Sequence, residues 1–197
     1  MRDNIYAFKE WADICDLLAA GETSMLIRKG GIHEGRDGFS FKHDKFLLFP
    51  TGFHQQENGL TPEALTGLSD AVRIHRPVEQ EVDVTFKIFA QAEFAQLVRD
   101  KSIVDSLAPH HVWTQQVVDD RYSYSEKLEA DCLSVAFVRI YKLAKPWVVS
   151  YQRNFGGCRS WLELENAPTD LLDGMTPVIT DDEHRHRKAA IQELLCI

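Results

Sequence analysis

No stretch of this sequence is long and apolar enough to form a membrane helix, which needs roughly 18 to 20 uncharged residues. The opening MRDNIYAFKEWADICDLL carries acids throughout and lacks the apolar block of a signal peptide, so a cytoplasmic location with no membrane partner is expected. Cysteine is scarce: Cys15, Cys132, Cys158 and Cys196 stand far apart with no C-x-x-C pair, which argues against a zinc site and a disulfide framework and for reduced thiols. Positive charge is also short, with 22 Lys and Arg against 30 Asp and Glu and a net charge of −8, which counts against coating nucleic acid by charge alone. The P-loop G-x-x-x-x-G-K-[ST], the dinucleotide G-x-G-x-x-G and the metalloprotease H-E-x-x-H are all missing, as is the spaced acid and E-x-K pair of a metal-dependent nuclease. No metal and no cofactor is expected.

What is present fits one compact domain: 197 residues, 44% hydrophobic and 26% charged, with no internal repeat or low-complexity tract. Residues 4–20 place Ile5, Phe8, Trp11 or Ala12, Cys15 and Leu18 or Ala19 on one helical face, with Asn4 as cap and Gly21 as stop. TSMLIRK and KFLLFP read as short strands able to pair. LTPEALTGLSDAV reads as a brief helix with Thr61 as N-cap and Pro62 at its first position. EVDVTFKIFAQ alternates Val82, Val84, Phe86 and Ile88 as a half-buried strand, and AEFAQLVRDKSIVDSLA follows as helix. CLSVAFVRIYKLAKPWVVSY predicts two strands interrupted at Pro146, and SWLELE one more. The end, TDDEHRHRKAAIQELLCI, has Thr180 and Glu183 in capping-box spacing before a helix with a solvated start. Helices and strands are interspersed without βαβ alternation. The fold expected is α+β, with a mixed or antiparallel curled sheet, or a small barrel, flanked by helices. Residues 1–165 are expected to form the globular domain and 166–197 a C-terminal extension whose helix packs on it.

The densest polar chemistry lies in residues 26–56. Gly30 and Gly31 can expose backbone N–H groups as an anion nest, and Arg28 and Lys29 beside them supply charge for a phosphate; the alternative is that the glycines only turn the chain. Glu34 and His54 are candidates for an acid/base pair with Gln55 orienting a water or base edge, against a histidine that merely caps a loop. In HHVWT, Trp113 is a candidate stacking surface with His111 reaching a base edge, against an ordinary core tryptophan. Arg121 either counters Asp119 and Asp120 or contributes to a cleft. The second glycine pair, Gly156 and Gly157, precedes Cys158, a candidate nucleophile or an inert buried thiol, and Arg159, a further candidate ligand-binding residue. The two glycine pairs with their arginines would face one cleft if both serve a ligand.

The blocks FKEWADICDLLAAG, LIRKGGIHE, FLLFPTGFHQ, HHVWT, VRIYKLAKP and GGCRSW, in this order, resemble the bacterial family known as domain of unknown function 1802, from about residue 6 to about residue 165. The resemblance implies a small soluble bacterial protein whose characteristic polar positions include Arg28, Lys29, Gly30, Gly31, Glu34, His54 and Gln55. The passage LLAAGETSMLIRKG is also similar to the G-x-K-x-x-x-x-R entry of the ASCH, EVE and PUA-like group. Glu22 and Thr23 stand where that pattern has lysine, while Arg28 matches the strand-borne arginine. This second resemblance implies a PUA-like barrel with a cleft for RNA, a modified base or a nucleotide.

Three function classes follow. The first is a module that binds RNA, modified DNA or a nucleotide in a polar cleft. The second is a small hydrolase of a phosphate-containing substrate using Glu34, His54 and Cys158. The third is a protein-interaction domain without catalysis.

Overall fold

The computed structural model describes residues 5–29, 42–52, 58–68, 83–123, 131–157 and 159–197. Its first element corrects the sequence expectation: Ile5–Trp11 is a strand, β1, and only Ala12–Ala20 forms a helix, α1. The aromatic and β-branched content of IYAFKEW suits a strand as well as the helical period. Tertiary pairing decides the matter, because β1 lies parallel to β3 (Lys45–Thr51) on one side and antiparallel to β6 (Trp161–Leu164) on the other. α1 ends as expected at Gly21, at φ 81, where Gly21 N–H reaches the Leu18 carbonyl at 3.1 Å and Glu22 N–H the Leu17 carbonyl at 3.0 Å.

β2 (Met25–Lys29) and β3 form where their sequences predict, but they do not pair with each other. Two long strands lie between them: β4 (Val84–Val98) and β5 (Leu133–Val149), and the sheet order is β2-β5-β4-β3-β1-β6, with β7 (Thr176–Pro177) attached to β5. β4 absorbs the first part of the segment expected to be helical, because Phe94 to Val98 pair in register with Phe137 to Leu133; only Lys101–Ser106 turns into helix, α3, capped by the Asp100 side chain. β5 runs through Pro146, which falls in the register shift opposite the step from Phe86 to Ile88. Proline is tolerated there because the regular ladder is already interrupted.

The same irregularity separates residues that simple alternation would group. Val84 and Phe86 join a smaller core with Ala7, Leu47 and Phe49, whereas Ile88 and Ala90 join the larger core with Phe8, Phe46 and Leu48. β1 and β3 are thus buried on both faces, which is why KFLLFP shows no polar alternation.

The helices cover the larger core. α1 contributes Ile14, Leu17 and Leu18, and α2 (Pro62–Thr66) is capped by Thr61 as expected. α4 (Gln115–Tyr122), which the sequence reading did not anticipate, contributes Val117 and Val118, and α5 (Asp181–Leu195) contributes Ile191 and Leu195. The start of α5 is not wholly solvated: His184 is buried and its Nε2 lies 2.9 Å from Glu93 of β4. Burial alone would raise the Glu93 carboxyl, but hydrogen bonds from Lys188 and His184 outweigh it and lower its pKa.

The fold is therefore α+β with a mixed sheet, as expected. Among the described strands β2 and β6 do not pair, so the sheet is not closed into a barrel. It is nevertheless strongly curled. In a flat sheet β2 would stand four strand spacings, about 19 Å, from β1, beyond the reach of one arginine, yet the Arg28 side chain of β2 touches β1.

Candidate functional site

The contact between these two distant strands is a seam made by side chains. After three buried residues, Met25 to Ile27, β2 presents the half-buried Arg28. Its Nη1 lies 3.2 and 3.1 Å from the two oxygens of Glu10, and its Nη2 donates to the Lys9 carbonyl. The guanidinium sits 4.5 Å from the centre of the Phe8 ring. Glu10 is buried and its Oε1 also accepts from the Trp11 N–H at 2.7 Å. A carboxylate so enclosed persists only because the guanidinium and the amide replace its water.

A second arginine reaches the same place from α4. Arg121 lies four residues after Val117, so the face that packs on the core also carries the guanidinium inward. Arg121 Nη1 donates to the Ile27 carbonyl at 2.8 Å, and the group stands 4.7 Å from the Trp11 ring centre and 5.2 Å from that of Trp113. Burial lowers its pKa to about 10, with Glu10 opposing the shift and Arg28 adding to it. It stays protonated at neutral pH, so Arg28, Arg121 and Glu10 carry one excess positive charge.

His111 and Trp113 complete the cluster. The HHVWT segment is fixed by backbone bonds, from Thr61 N–H to the Val112 carbonyl and from Thr114 N–H to the Gly59 carbonyl, and by the Leu60–Trp113 bridge. His111, Val112 and Trp113 are all buried, so Trp113 is not an exposed stacking surface. Burial, then the charges of Arg121 and His110, lower the His111 pKa to about 4, which makes the ring neutral at pH 7. Backbone groups of His111 and Trp113 offset this in part, but none meets hydrogen-bond geometry with a ring nitrogen.

On the outer side of the seam, the second glycine pair lies against β1. Gly157 adopts φ 82, its carbonyl accepts from Lys9 Nζ at 3.0 Å, and Lys9 N–H donates to the Ser160 carbonyl at 2.9 Å. Lys9 thus takes Arg28 through its carbonyl and the Gly157 turn through its ammonium. Arg159 next to that turn is exposed, and Lys29 is half-buried at the end of β2.

Of the residues singled out in the sequence, the structure brings Arg28, Arg121, His111 and Trp113 into one cluster, while Arg159 lies between Gly157 and Ser160, whose carbonyls both accept from Lys9. Gly30, Gly31, Glu34, His54, Gln55 and Cys158 lie outside the described residues. Glu10 and Trp11 were not foreseen as site residues, because a helical reading of residues 4–20 puts Glu10 on the polar face. Among the described residues no three His, Cys, Asp or Glu side chains stand together as a metal site.

The arrangement defines an α+β protein on an open, curled mixed sheet whose two distant strands meet through a cationic and aromatic seam. The chain belongs to the family described as Domain of unknown function (DUF1802), whose model matches residues 7–190. That match reaches into α5, beyond the sequence blocks that end near residue 165. The crystal structure of ASCH from Zymomonas mobilis aligns with 94% of this chain and 93% of that chain, at 10% identity and a TM-score of 0.47. No curated protein matches the sequence. Among the described residues no helix is long and apolar enough to cross a membrane.

Proposed function

We propose that this protein binds nucleic acid or a nucleotide, with RNA, modified DNA and free nucleotides as the ligand classes, at the seam between β2 and β1. The observation that supports this reading is the presence of two guanidinium groups in one seam, Arg28 ion-paired with the buried Glu10 and Arg121 bonded to the neighbouring Ile27 carbonyl of β2, with one carboxylate between them in the charge balance. The local cationic excess stands out in a chain of net charge −8, and Lys29 and Arg159 extend it. Phosphate recognition needs such a local excess, whatever the overall charge. In a PUA-like view of the architecture the seam is the gap in the barrel, residues 1–165 form the binding unit, and residues 166–197 form an extension that braces it.

Fluorescence anisotropy with labelled single- and double-stranded RNA and DNA, at low and moderate salt, tests the reading. Binding that weakens with salt is expected, and Lys29→Ala or Arg159→Ala should lower the salt slope by about one for each phosphate contact removed. Arg28→Lys should weaken binding further, because it loses the planar fork while keeping the charge. The absence of binding to every probe at low salt, by a protein that remains folded, would refute the proposal.

A further inference from the structure

Inside the seam the polar groups are arranged for a ligand with several acceptor oxygens. Trp113 is 1% exposed and His111 9% exposed, yet Trp113 Nε1 and both ring nitrogens of His111 have no hydrogen-bond partner among the described residues. The two ring centres are 5.9 Å apart, and the Arg121 guanidinium, itself 7% exposed, lies over the Trp113 ring. Buried polar atoms without partners are destabilising, and an acceptor held beside a guanidinium in charge excess would satisfy the Trp113 N–H and the one His111 nitrogen that carries the proton. A neutral His111 offers one N–H, Trp113 offers another, and Arg121 has donors beyond the one used by Ile27. All three residues can therefore donate, while Glu10 is already engaged by Arg28 and the Trp11 amide.

Enclosure narrows the ligand. A continuous strand with phosphodiesters on both sides needs an open groove, whereas residues this buried admit only the end of a molecule. A terminal phosphate monoester presents three free oxygens to three donors and carries the negative charge that the two arginines leave uncompensated. Arg28 is the more exposed of the two arginines, its side chain retaining 15% exposure. We propose that His111, Trp113 and Arg121 form an enclosed subsite for the terminal phosphate of a nucleotide or an oligonucleotide, with Arg28 next to it. The inference rests on the nucleic-acid and nucleotide reading above and specifies which part of the ligand is held.

The test compares one oligonucleotide sequence with a 5′-phosphate, with a 3′-phosphate and with neither, alongside adenosine 5′-monophosphate, adenosine and inorganic phosphate, by anisotropy and calorimetry. An end phosphate should tighten binding roughly tenfold, and adenosine 5′-monophosphate should bind where adenosine does not. Inorganic phosphate should compete with both. Trp113→Phe and His111→Leu keep most of the packing volume while each removes one N–H donor, and each should reduce the preference for the end phosphate roughly three- to tenfold. Thermal unfolding of each variant shows that it is folded. Equal binding of phosphorylated and unphosphorylated strands would overturn the subsite and leave the nucleic-acid reading standing. Binding of adenosine 5′-monophosphate and phosphate without any oligonucleotide binding would support the subsite and remove nucleic acid as the ligand. Folded variants that keep the full preference would overturn the assignment of these residues, and binding of no probe would overturn both proposals.

Discussion

Stability should fall in mild acid because of His111, and the size of the fall follows from its burial. The native ring has a pKa of about 4, against 6.5 for the ordinary side chain. Between those values the unfolded chain takes up a proton that the native protein refuses, so stability drops as pH falls through 6.5 and the His111 contribution is fully lost below about 4. A difference of about 2.5 pKa units corresponds to roughly 3 kcal/mol in total, of which about 2 kcal/mol is lost between pH 7 and pH 5. His110 and His43 are also lowered, chiefly by burial, and steepen the same trend. The informative quantity is therefore the difference between the wild-type protein and His111→Gln. Urea unfolding followed by tryptophan fluorescence at pH 7, 6 and 5, in a phosphate-free buffer, should give the variant a pH dependence shallower by about 2 kcal/mol over that range. Equal slopes for the two proteins would refute the reasoning, since they would mean that the native His111 takes up its proton as freely as the unfolded one.

Two further outcomes follow from the packing. Glu10→Gln leaves Arg28 and Arg121 facing each other without their carboxylate and should cost about 3 to 5 kcal/mol in urea unfolding, whereas replacing Glu10 by Leu together with Arg28 by Met should recover part of that loss; a Glu10→Gln protein as stable as wild type would refute the seam as a buried ion pair. Gly21→Ala places a side chain at φ 81 and sets its Cβ 2.8 Å from Ile179 Cγ2, so it should destabilise by more than about 1 kcal/mol and lower the thermal midpoint.

The parts of the fold legible in the sequence are those that depend on near neighbours. Thr61, Asp100 and Thr180 each cap a helix through a side chain that accepts from an N–H two or three residues on, and Gly21 ends α1 for a conformational reason of its own. Of these caps, Thr61 and Thr180 were identified from sequence, as were the positions of β2, β3 and β6. The reading failed where a partner far along the chain overrides the local period. Residues 5–11 carry a helical spacing that β3 and β6 convert to a strand, and residues 94–98 leave their expected helix because β5 offers a complete ladder. The candidate site divides in the same way. Residue type and the family blocks were enough to single out Arg28, His111, Trp113 and Arg121. That Arg28 would meet Glu10, 18 residues before it, and that Arg121 would reach a carbonyl 94 residues away, was decided by the curl of the sheet. Local preferences are fixed by a few dihedral angles and are written in short stretches of sequence. The enclosure of two arginines and one carboxylate in one seam exists only when β2, β1 and α4 converge, because burial is a property of the assembled core and not of any one segment.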